Sequence, residues 1–224
     1  MTIEIETRSY TLAEFYQWVN EYGEPERQYE LINGEIVEMN EREPGPSGRH
    51  GEVMLALGQY LLNFACAHKL GRVFVNSACT LGISISSSNE AVSSSKTSKK
   101  VRANYVVPDV LFIRQGLLQN KFEGPIPVLP ELVAEINSPS DTTEAIRDKI
   151  AIYKKAGVRL LWSIYLLEEY VVVYRLDEPK RTFLNPEDDL DGEDVMPGFK
   201  LKVSALFEQS LAGDSDGAPT ILNP

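Results

Sequence analysis

Two acidic residues lie inside segments of the sequence that are otherwise apolar. Asp109 is the only charged residue of VVPDVLFI (106–113), and Glu135 is the only charged residue of LVAEI (132–136). A buried charge without a partner is unfavourable, so each carboxylate needs a cation or several hydrogen-bond donors. If both segments are strands of one sheet, the two carboxylates could share a hard cation such as Mg²⁺, which prefers oxygen ligands. The alternative is that each acid lies at a strand end and caps a turn.

Lys149 is the third residue that could take part in chemistry. Beyond Glu135, a strand would run on for ~13 Å to the reversal at Ser138–Ser140, at ~3.3 Å per residue. A helix starting at Asp141 would then return by ~12 Å when it reaches Lys149, at ~1.5 Å per residue. We therefore expect Lys149 to return to the level of Glu135 and to point at the same place. An ordinary surface lysine is the alternative.

An N-terminal hairpin adds two more acids. Asn33-Gly34 is a strong two-residue turn signal, which would pair Ile32 with Glu35 and Glu30 with Val37. Glu30 and Glu35 would then share an otherwise apolar face, either as protection of a sheet edge or as an outer arm of the metal site. His50 opens the second predicted helix, where a neutral or solvent-facing imidazole is unremarkable.

The elements that must position these residues follow from hydrophobic periodicity and from start and stop signals. Helices are predicted after Thr11, after the Pro/Gly/Ser-rich residues 43–48, and from Asp141 to a stop at Gly157, with Gly71 as the cap of the second helix. Strands are predicted at 29–32, 35–39, 72–83, 105–113, 132–136, 159–166 and 170–175, and a short helix at 204–208. The order of elements predicts an α/β fold with a central mixed β-sheet flanked by helices, in which the strands before and after the third helix are parallel neighbours.

Charge is unevenly distributed along the chain. The formal net charge is −11, which argues against a protein that coats nucleic acid non-specifically. Six acids between Glu187 and Asp194 account for about half of the excess and are assigned to a late loop. A Ser-rich insertion (84–100) overlaps a basic stretch, between Ala91 and Val107, that could contact phosphates; the alternative is a solvated flexible loop. Its basic residues are Lys96, Lys99, Lys100 and Arg102.

The two cysteines and the hydropathy pattern bear on location. Cys66 and Cys79 have no metal-ligand spacing and are interpreted as buried thiols in a reducing cytoplasm. No apolar run is long enough to cross a membrane, and the N-terminus does not look like a secretory signal. We expect a cytoplasmic protein with a single domain over residues 1–208 and a frayed tail over 209–224.

Four blocks of the sequence together resemble the Uma-two family, a branch of the PD-(D/E)xK nuclease superfamily that is usually labelled "putative restriction endonuclease". The blocks are YELINGEIVEM (29–39), VVPDVLFI (106–113), ELVAEINSPSDT (131–142) and DKIAIYKKAGVRLLWSIYL (148–166). The resemblance runs from about Tyr10 to Phe207, and the ordered set of four blocks is specific. It implies a restriction endonuclease-like fold, to which the N-terminal helix and hairpin are an addition.

The resemblance also implies a set of functional residues. A Mg²⁺ (or Mn²⁺) site would be formed by Asp109, Glu135 and the backbone carbonyl of Ile136, with a lysine near the attacking water. Asn137 occupies the position where the usual superfamily motif has its lysine, and the branch is thought to take the lysine from the following helix, which matches Lys149. His50, Glu30 and Glu35 also match residues typical of the branch.

The sequence therefore predicts a metal-dependent endonuclease that hydrolyses DNA phosphodiester bonds. One alternative is a catalytically silent nucleic-acid-binding or protein-interaction module on the same fold, supported by the acidic composition and by Asn137. Another is a small-molecule enzyme with a metal–carboxylate site, for which no residue argues specifically. Homodimerisation is expected only by analogy with nucleases that cut both strands.

Overall fold

The computed structural model describes residues 9–39, 48–82, 103–119, 123–139, 141–175 and 178–208. The helices in these ranges are α1 (Leu12–Tyr22), α2 (Gly48–Ala67), α3 (Thr143–Ala156) and the 3₁₀ turn η1 (Val203–Leu206). The strands are β1 (Tyr29–Ile32), β2 (Glu35–Glu38), β3 (Gly71–Val75), β4 (Cys79–Leu81), β5 (Asn104–Val106), β6 (Val110–Arg114), β7 (Leu132–Asn137), β8 (Leu160–Tyr165), β9 (Tyr170–Arg175), β10 (Arg181–Leu184), β11 (Asp189–Asp191) and β12 (Lys200–Lys202).

The central sheet has six strands in the order β10-β9-β8-β7-β6-β3. Strands β7 and β8 are parallel and are connected by α3, as the sequence predicts, whereas the other neighbours in this sheet are antiparallel. Helix α3 begins after Thr142, whose hydroxyl accepts the amide of Ala145, and ends at Gly157, which has a left-handed φ of 93°. The predicted α/β class with a mixed sheet is confirmed.

The N-terminal addition forms a second sheet in the order β2-β1-β5-β4. Asn33 and Gly34 both have positive φ, and the hairpin pairs Ile32 with Glu35 and Glu30 with Val37, as predicted. Helix α1 starts with the expected capping box, in which Thr11 and Glu14 satisfy each other's backbone amides. This helix and the hairpin share a small apolar core of Phe15, Tyr29 and Leu31.

The two larger cores lie on opposite faces of the six-stranded sheet. On one face α2 packs through Val53, Leu57 and Leu61 against inward residues of β6, β7 and β8. On the other face Ile152 and Tyr153 of α3 share a core with the remaining residues of those strands and with β4 and β5. Because side chains alternate along a strand, β7 contributes Val133 and Glu135 to the α3 face. The α3 face therefore carries the candidate site.

Two predicted strands are each divided in the structure, and the second division changes the setting of Asp109. Residues 72–83 form β3 and β4 in different sheets, separated at Asn76, which has a φ of 45°. Residues 105–113 form β5 and β6, separated by a bend that includes Pro108, which has no amide to contribute to a sheet. Asp109 therefore lies at a strand entrance. Gly71 starts β3 and does not cap α2, and a Cβ at this position would clash with the carbonyl oxygen of Ile113.

The acidic segment near residue 190, predicted as a loop, is a loop only in part. Glu187, Asp188, Glu193 and Asp194 lie in turns or a bend. Asp189–Asp191 form β11, which pairs with β12, and the carboxylates of Asp189 and Asp191 form ion pairs with Lys202 and Lys200 at 3.0 and 3.3 Å. Opposite charges across a strand pair offset the acid-rich composition. These acids thus have structural partners.

The expected burial of both thiols is half right. Cys79 is buried, but Cys66 is exposed on α2. The spacing of apolar residues in α2 does not show which side of the helix is buried, because this helix is apolar over much of its length. None of the helices in the described ranges is both long and apolar enough to cross a membrane.

Candidate active site

Asp109 and Glu135 lie next to each other at one end of the central sheet. Strand β6 pairs with β7 with Val110 opposite Ala134, so Asp109 is one position beyond the last pair and faces the level of Glu135. The Asp109 Oδ2 accepts a hydrogen bond of 2.7 Å from the backbone amide of Ile136. Its Oδ1 lies 3.4 Å from Nε2 of His50, in the first turn of α2. The backbone of β7 and the imidazole thus fix this carboxylate from two sides.

Glu135 is buried in the middle of β7, and α3 supplies its partners. The Nζ of Lys149 lies 3.0 Å from Oε2 of Glu135, and the hydroxyl of Tyr153 donates a short hydrogen bond to Oε1. Lys149 and Tyr153 are four residues apart, so both project from one face of the helix. The path lengths of strand and helix predicted the meeting of Lys149 with Glu135, and this geometric expectation is confirmed.

Burial dominates the electrostatics of the site. It raises the pKa of Glu135 to about 7, and the charges of Asp109 and Glu30 act in the same direction, while Lys149 and the Tyr153 hydroxyl oppose the shift. Burial also acts to lower the pKa of Lys149, but the three surrounding carboxylates outweigh it, and the net shift is upward. Lys149 is therefore a cation at neutral pH, suited to orienting and stabilising negative charge.

Glu30 reaches the same site from the N-terminal hairpin. It is fully buried, and its Oε1 accepts a hydrogen bond of 2.8 Å from the amide of Val107, two residues before Asp109. Its Oε2 is buried and has no hydrogen-bond donor among the described residues. Burial raises the pKa of Glu30, against the attraction of Lys149. The hairpin thus holds the bend before Asp109 and brings a third carboxylate near the lysine.

Glu35 lies apart from this cluster. Although its register puts it on the same face of the hairpin as Glu30, its side chain is exposed. Strands β1 and β2 extend beyond the site, and Glu35 lies at the end of β2 that is next to the turn. Of the two hairpin glutamates that the sequence analysis proposed, only Glu30 is brought to Asp109 and Lys149.

A small cleft opens beside Glu135, between β7, β8 and α3. Asn137, at the position of the usual superfamily lysine, is buried along this cleft and donates hydrogen bonds to the Ser163 hydroxyl at 2.7 Å and to the Ile164 carbonyl at 3.1 Å. Its amide is thus engaged by β8. The cleft is lined by Glu135, Asn137, Ile146, Lys149, Ile150, Leu161 and Ser163.

One polar contact of the site, between Tyr153 and Glu135, was not predicted from the sequence. Tyr153 was identified as a buried residue of the helix, but its spacing from Lys149 was the available signal for a shared role. The basic residues Lys96, Lys99, Lys100 and Arg102 lie outside the described residues. Their contact with phosphate stays a prediction.

The donor set fits a hard divalent cation in type. Asp109, Glu135 and the carbonyl of Ile136 offer oxygen ligands, and the buried Oε2 of Glu30 is an acceptor without a donor among the described residues. Within the residues that the structure describes, no group of three His, Cys, Asp or Glu side chains is arranged to hold a metal. Mg²⁺ is commonly held by only one or two carboxylates and retains several waters, so two carboxylates and one carbonyl suffice.

Comparison with known proteins gives a family and a fold. The family model Uma2, described as "Putative restriction endonuclease", matches residues 12–204. Among solved structures, the chain is similar to one titled a "putative nuclease belonging to DUF820" from Anabaena variabilis ATCC 29413, with a TM-score of 0.66 and 21% sequence identity. The match covers 88% of this chain and 97% of the other, and at this identity it shows the fold. No curated protein matches the chain.

Proposed function

The chain belongs to the Uma2 family, and from that premise we propose that it is a metal-dependent endonuclease that hydrolyses DNA phosphodiester bonds. One observation carries the proposal: Asp109, just before β6, lies at the level of Glu135 on the neighbouring strand β7, and the Lys149 ammonium is 3.0 Å from Glu135. Paired carboxylates that could hold a metal ion, with a fixed cation nearby, are suited to metal-assisted phosphodiester hydrolysis.

Each residue has a distinct role in this proposal. Asp109, Glu135 and the Ile136 carbonyl would hold Mg²⁺ or Mn²⁺. When bound, the cation would polarise the phosphate and lower the pKa of water at the site. Lys149 would orient the attacking water and stabilise the negative charge that develops on the phosphoryl group.

The surrounding residues keep the carboxylates oriented. The Ile136 amide and His50 hold Asp109, and the Tyr153 hydroxyl holds one oxygen of Glu135. Burial raises the pKa of the Tyr153 hydroxyl well above its ordinary value, so it remains a proton donor at neutral pH. Such fixed partners limit misplacement of the reacting groups, where about 1 Å can cost ~100-fold in rate.

A second function is favoured by a specific contact. The direct Lys149–Glu135 ion pair neutralises the buried carboxylate without a metal, and the Asn137 amide is satisfied by β8. Both features suit a catalytically silent nucleic-acid-binding or protein-interaction module on the same fold. The nuclease is preferred because the buried Oε2 of Glu30 has no hydrogen-bond donor among the described residues, and a cation bound near Asp109 and Glu135 would satisfy it.

Incubation with DNA separates the two functions. The purified chain is mixed with supercoiled plasmid or circular single-stranded DNA, with Mg²⁺ or Mn²⁺, and then with excess chelator. We expect metal-dependent nicking or linearisation that the chelator stops and that Glu135→Gln abolishes. Substitution of the exposed Lys154 by Met serves as the control. Intact DNA under every metal condition would overturn the nuclease and leave the binding module.

A further inference from the structure

Three aromatic side chains form a row across strands β8, β9 and β10. Tyr165 and Tyr170 are cross-strand partners whose ring centroids are 4.5 Å apart and whose planes differ by 9°. The ring of Tyr170 lies 6.2 Å from that of Phe183 on β10. We call Tyr165, Tyr170 and Phe183 the aromatic row.

The aromatic row continues the candidate active site along the sheet. Asn137 lines the cleft and shares a face of β7 with Glu135, because the two residues are separated by two positions. Tyr165 is the β8 partner of Asn137, so it lies on that same face one strand away, about 5 Å across the sheet. The row then leads across β9 to β10, the edge strand of the sheet.

The outer end of the row is open to solvent and carries a cation. Phe183 is 54% exposed, and the guanidinium carbon of Arg181 lies 5.2 Å from the centre of its ring. Tyr165 and Tyr170 are half-buried. Tyr165 and Tyr170 already stack on each other, so a flat aromatic ligand would extend this stack at its ends, and the guanidinium of Arg181 favours negative charge on that ligand.

We propose that the aromatic row is a stacking platform for unpaired nucleobases that flank the scissile phosphate, an inference that rests on the proposed nuclease function. It makes DNA with a single-stranded segment the substrate class. The net charge of −11 leaves this chain with little attraction for phosphates. Stacking on aromatic side chains supplies affinity that does not depend on the charge of the protein, and it tolerates any base sequence.

The main alternative ligand of the aromatic row is a second copy of the chain. β10 is an edge strand, and exposed edges can pair with a strand of another molecule. The aromatic row and the cleft lie on the same face of the sheet. This arrangement favours nucleic acid as the ligand, because a strand from a second copy would pair with the edge of β10 and would not need the rings of Tyr165 and Tyr170. The oligomeric state is therefore measured with the binding.

Binding of labelled DNA by the full chain in chelator tests the platform. The probes are a fluorescein-labelled oligo(dT) of about 12 nucleotides and a duplex of equal length, followed by fluorescence anisotropy. We expect the wild type to prefer the single strand. Phe183→Ala and Tyr170→Ala should each weaken single-strand binding by roughly 5- to 100-fold, with little change in the salt dependence or in duplex binding. Tyr170→Phe, which keeps the ring, should bind like the wild type.

The control is Tyr22→Ala, which removes an aromatic ring 66% exposed on α1, away from the row. Melting temperatures verify that each variant is folded. Equal single-strand affinity in the wild type and the Tyr170→Ala/Phe183→Ala double variant would overturn the platform. So would a wild-type dimer that Phe183→Ala dissociates without loss of single-strand binding.

The proposed function and the platform can fail separately. Metal-dependent plasmid cleavage with ring-independent DNA binding would overturn the platform and retain the nuclease. Ring-dependent binding of the single strand without cleavage would retain the platform and overturn only the nuclease.

Discussion

The ammonium of Lys149 lies 3.0 Å from Oε2 of Glu135, although the lysine belongs to α3 and the glutamate to the strand before it. The usual superfamily motif would put the lysine at residue 137, on the same strand. The helix therefore brings a positive charge to the side of Glu135 while the side chain of Asn137 bonds to β8.

Lys149→Met should lower cleavage by on the order of 100- to 1000-fold, because a preorganised group that stabilises developing charge is removed. The methionine keeps most of the length and apolar stem of the side chain. Glu135, without its cation, should take up a proton more readily, which limits the loss of stability. The rate is compared with that of Lys154→Met, an exposed lysine on the same helix. Cleavage by Lys149→Met at the wild-type rate would disprove the assignment of this lysine.

Adding Asn137→Lys to Lys149→Met should restore part of the activity by rebuilding the usual arrangement. The rescue is expected to be partial, because the new side chain must replace the hydrogen bonds of Asn137 to Ser163 and Ile164. Single-turnover rates of the double variant and of Asn137→Lys alone measure the effect.

A divalent cation should stabilise the fold through Asp109 and Glu135. A ligand that binds only the native state adds about 2.7 kcal/mol when its free concentration is about 100 times its Kd. Asp109→Asn should abolish the metal-induced rise in melting temperature, since it removes a charged ligand but keeps an oxygen for the Ile136 amide. Asp148→Asn, an exposed change on α3, should retain the full rise. The same rise in both variants would exclude Asp109 as a ligand.

Glu30 and Glu35 form a matched pair on one hairpin. Glu30→Gln should weaken the metal-induced stabilisation several-fold in apparent affinity, because Glu30 is buried near Asp109 and Lys149. Glu35→Gln should leave it unchanged, because Glu35 is exposed. Titrations with Mn²⁺, followed by thermal melting, compare the two variants. If both substitutions changed the apparent metal affinity equally, the hairpin would contribute to folding and not to metal binding.

In chelator, the free energy of unfolding should fall as pH rises from about 4.5 to about 7. Burial raises the pKa of Glu135 from its ordinary value of 4.5 to about 7, so the native state binds a proton more tightly than the unfolded state over this window. Stability is therefore lost on deprotonation, by on the order of 1–3 kcal/mol. Glu135→Gln should show a flatter profile in denaturant titrations at several pH values. If the free energy of unfolding of Glu135→Gln fell with pH as steeply as that of the wild type, another titrating group would be responsible.

Tyr153→Phe should move the acidic limb of the cleavage profile to higher pH. The hydroxyl lowers the pKa of Glu135, so its removal raises that pKa and a larger fraction of Glu135 is protonated at a given pH. The phenylalanine retains the packing of a fully buried ring. Tyr60→Phe, on the surface of α2, serves as the comparison. An unchanged limb would mean that Tyr153 contributes only packing.

The sequence by itself determined the start of α1, the turn of the N-terminal hairpin, the end of α3 and the meeting of Lys149 with Glu135. Thr11 with Glu14, Asn33-Gly34 and Gly157 act through short-range backbone geometry, which a single segment specifies. The return of Lys149 to Glu135 follows from fixed rises per residue along one strand and one helix. Both are properties of contiguous chain, so no distant contact was needed to predict them.

Only the tertiary structure decided the setting of Asp109 and which of the two hairpin glutamates reaches the site. The bend that sets Asp109 outside the strand depends on Val107 donating to Glu30, a residue 77 positions away. Glu30 and Glu35 have equivalent places in the hairpin pattern, and the packing of the second sheet against the first buries one and exposes the other. The sequence pattern of a strand shows which of its side chains share a face. The order of the strands in a sheet, however, depends on contacts between segments that are distant in the sequence.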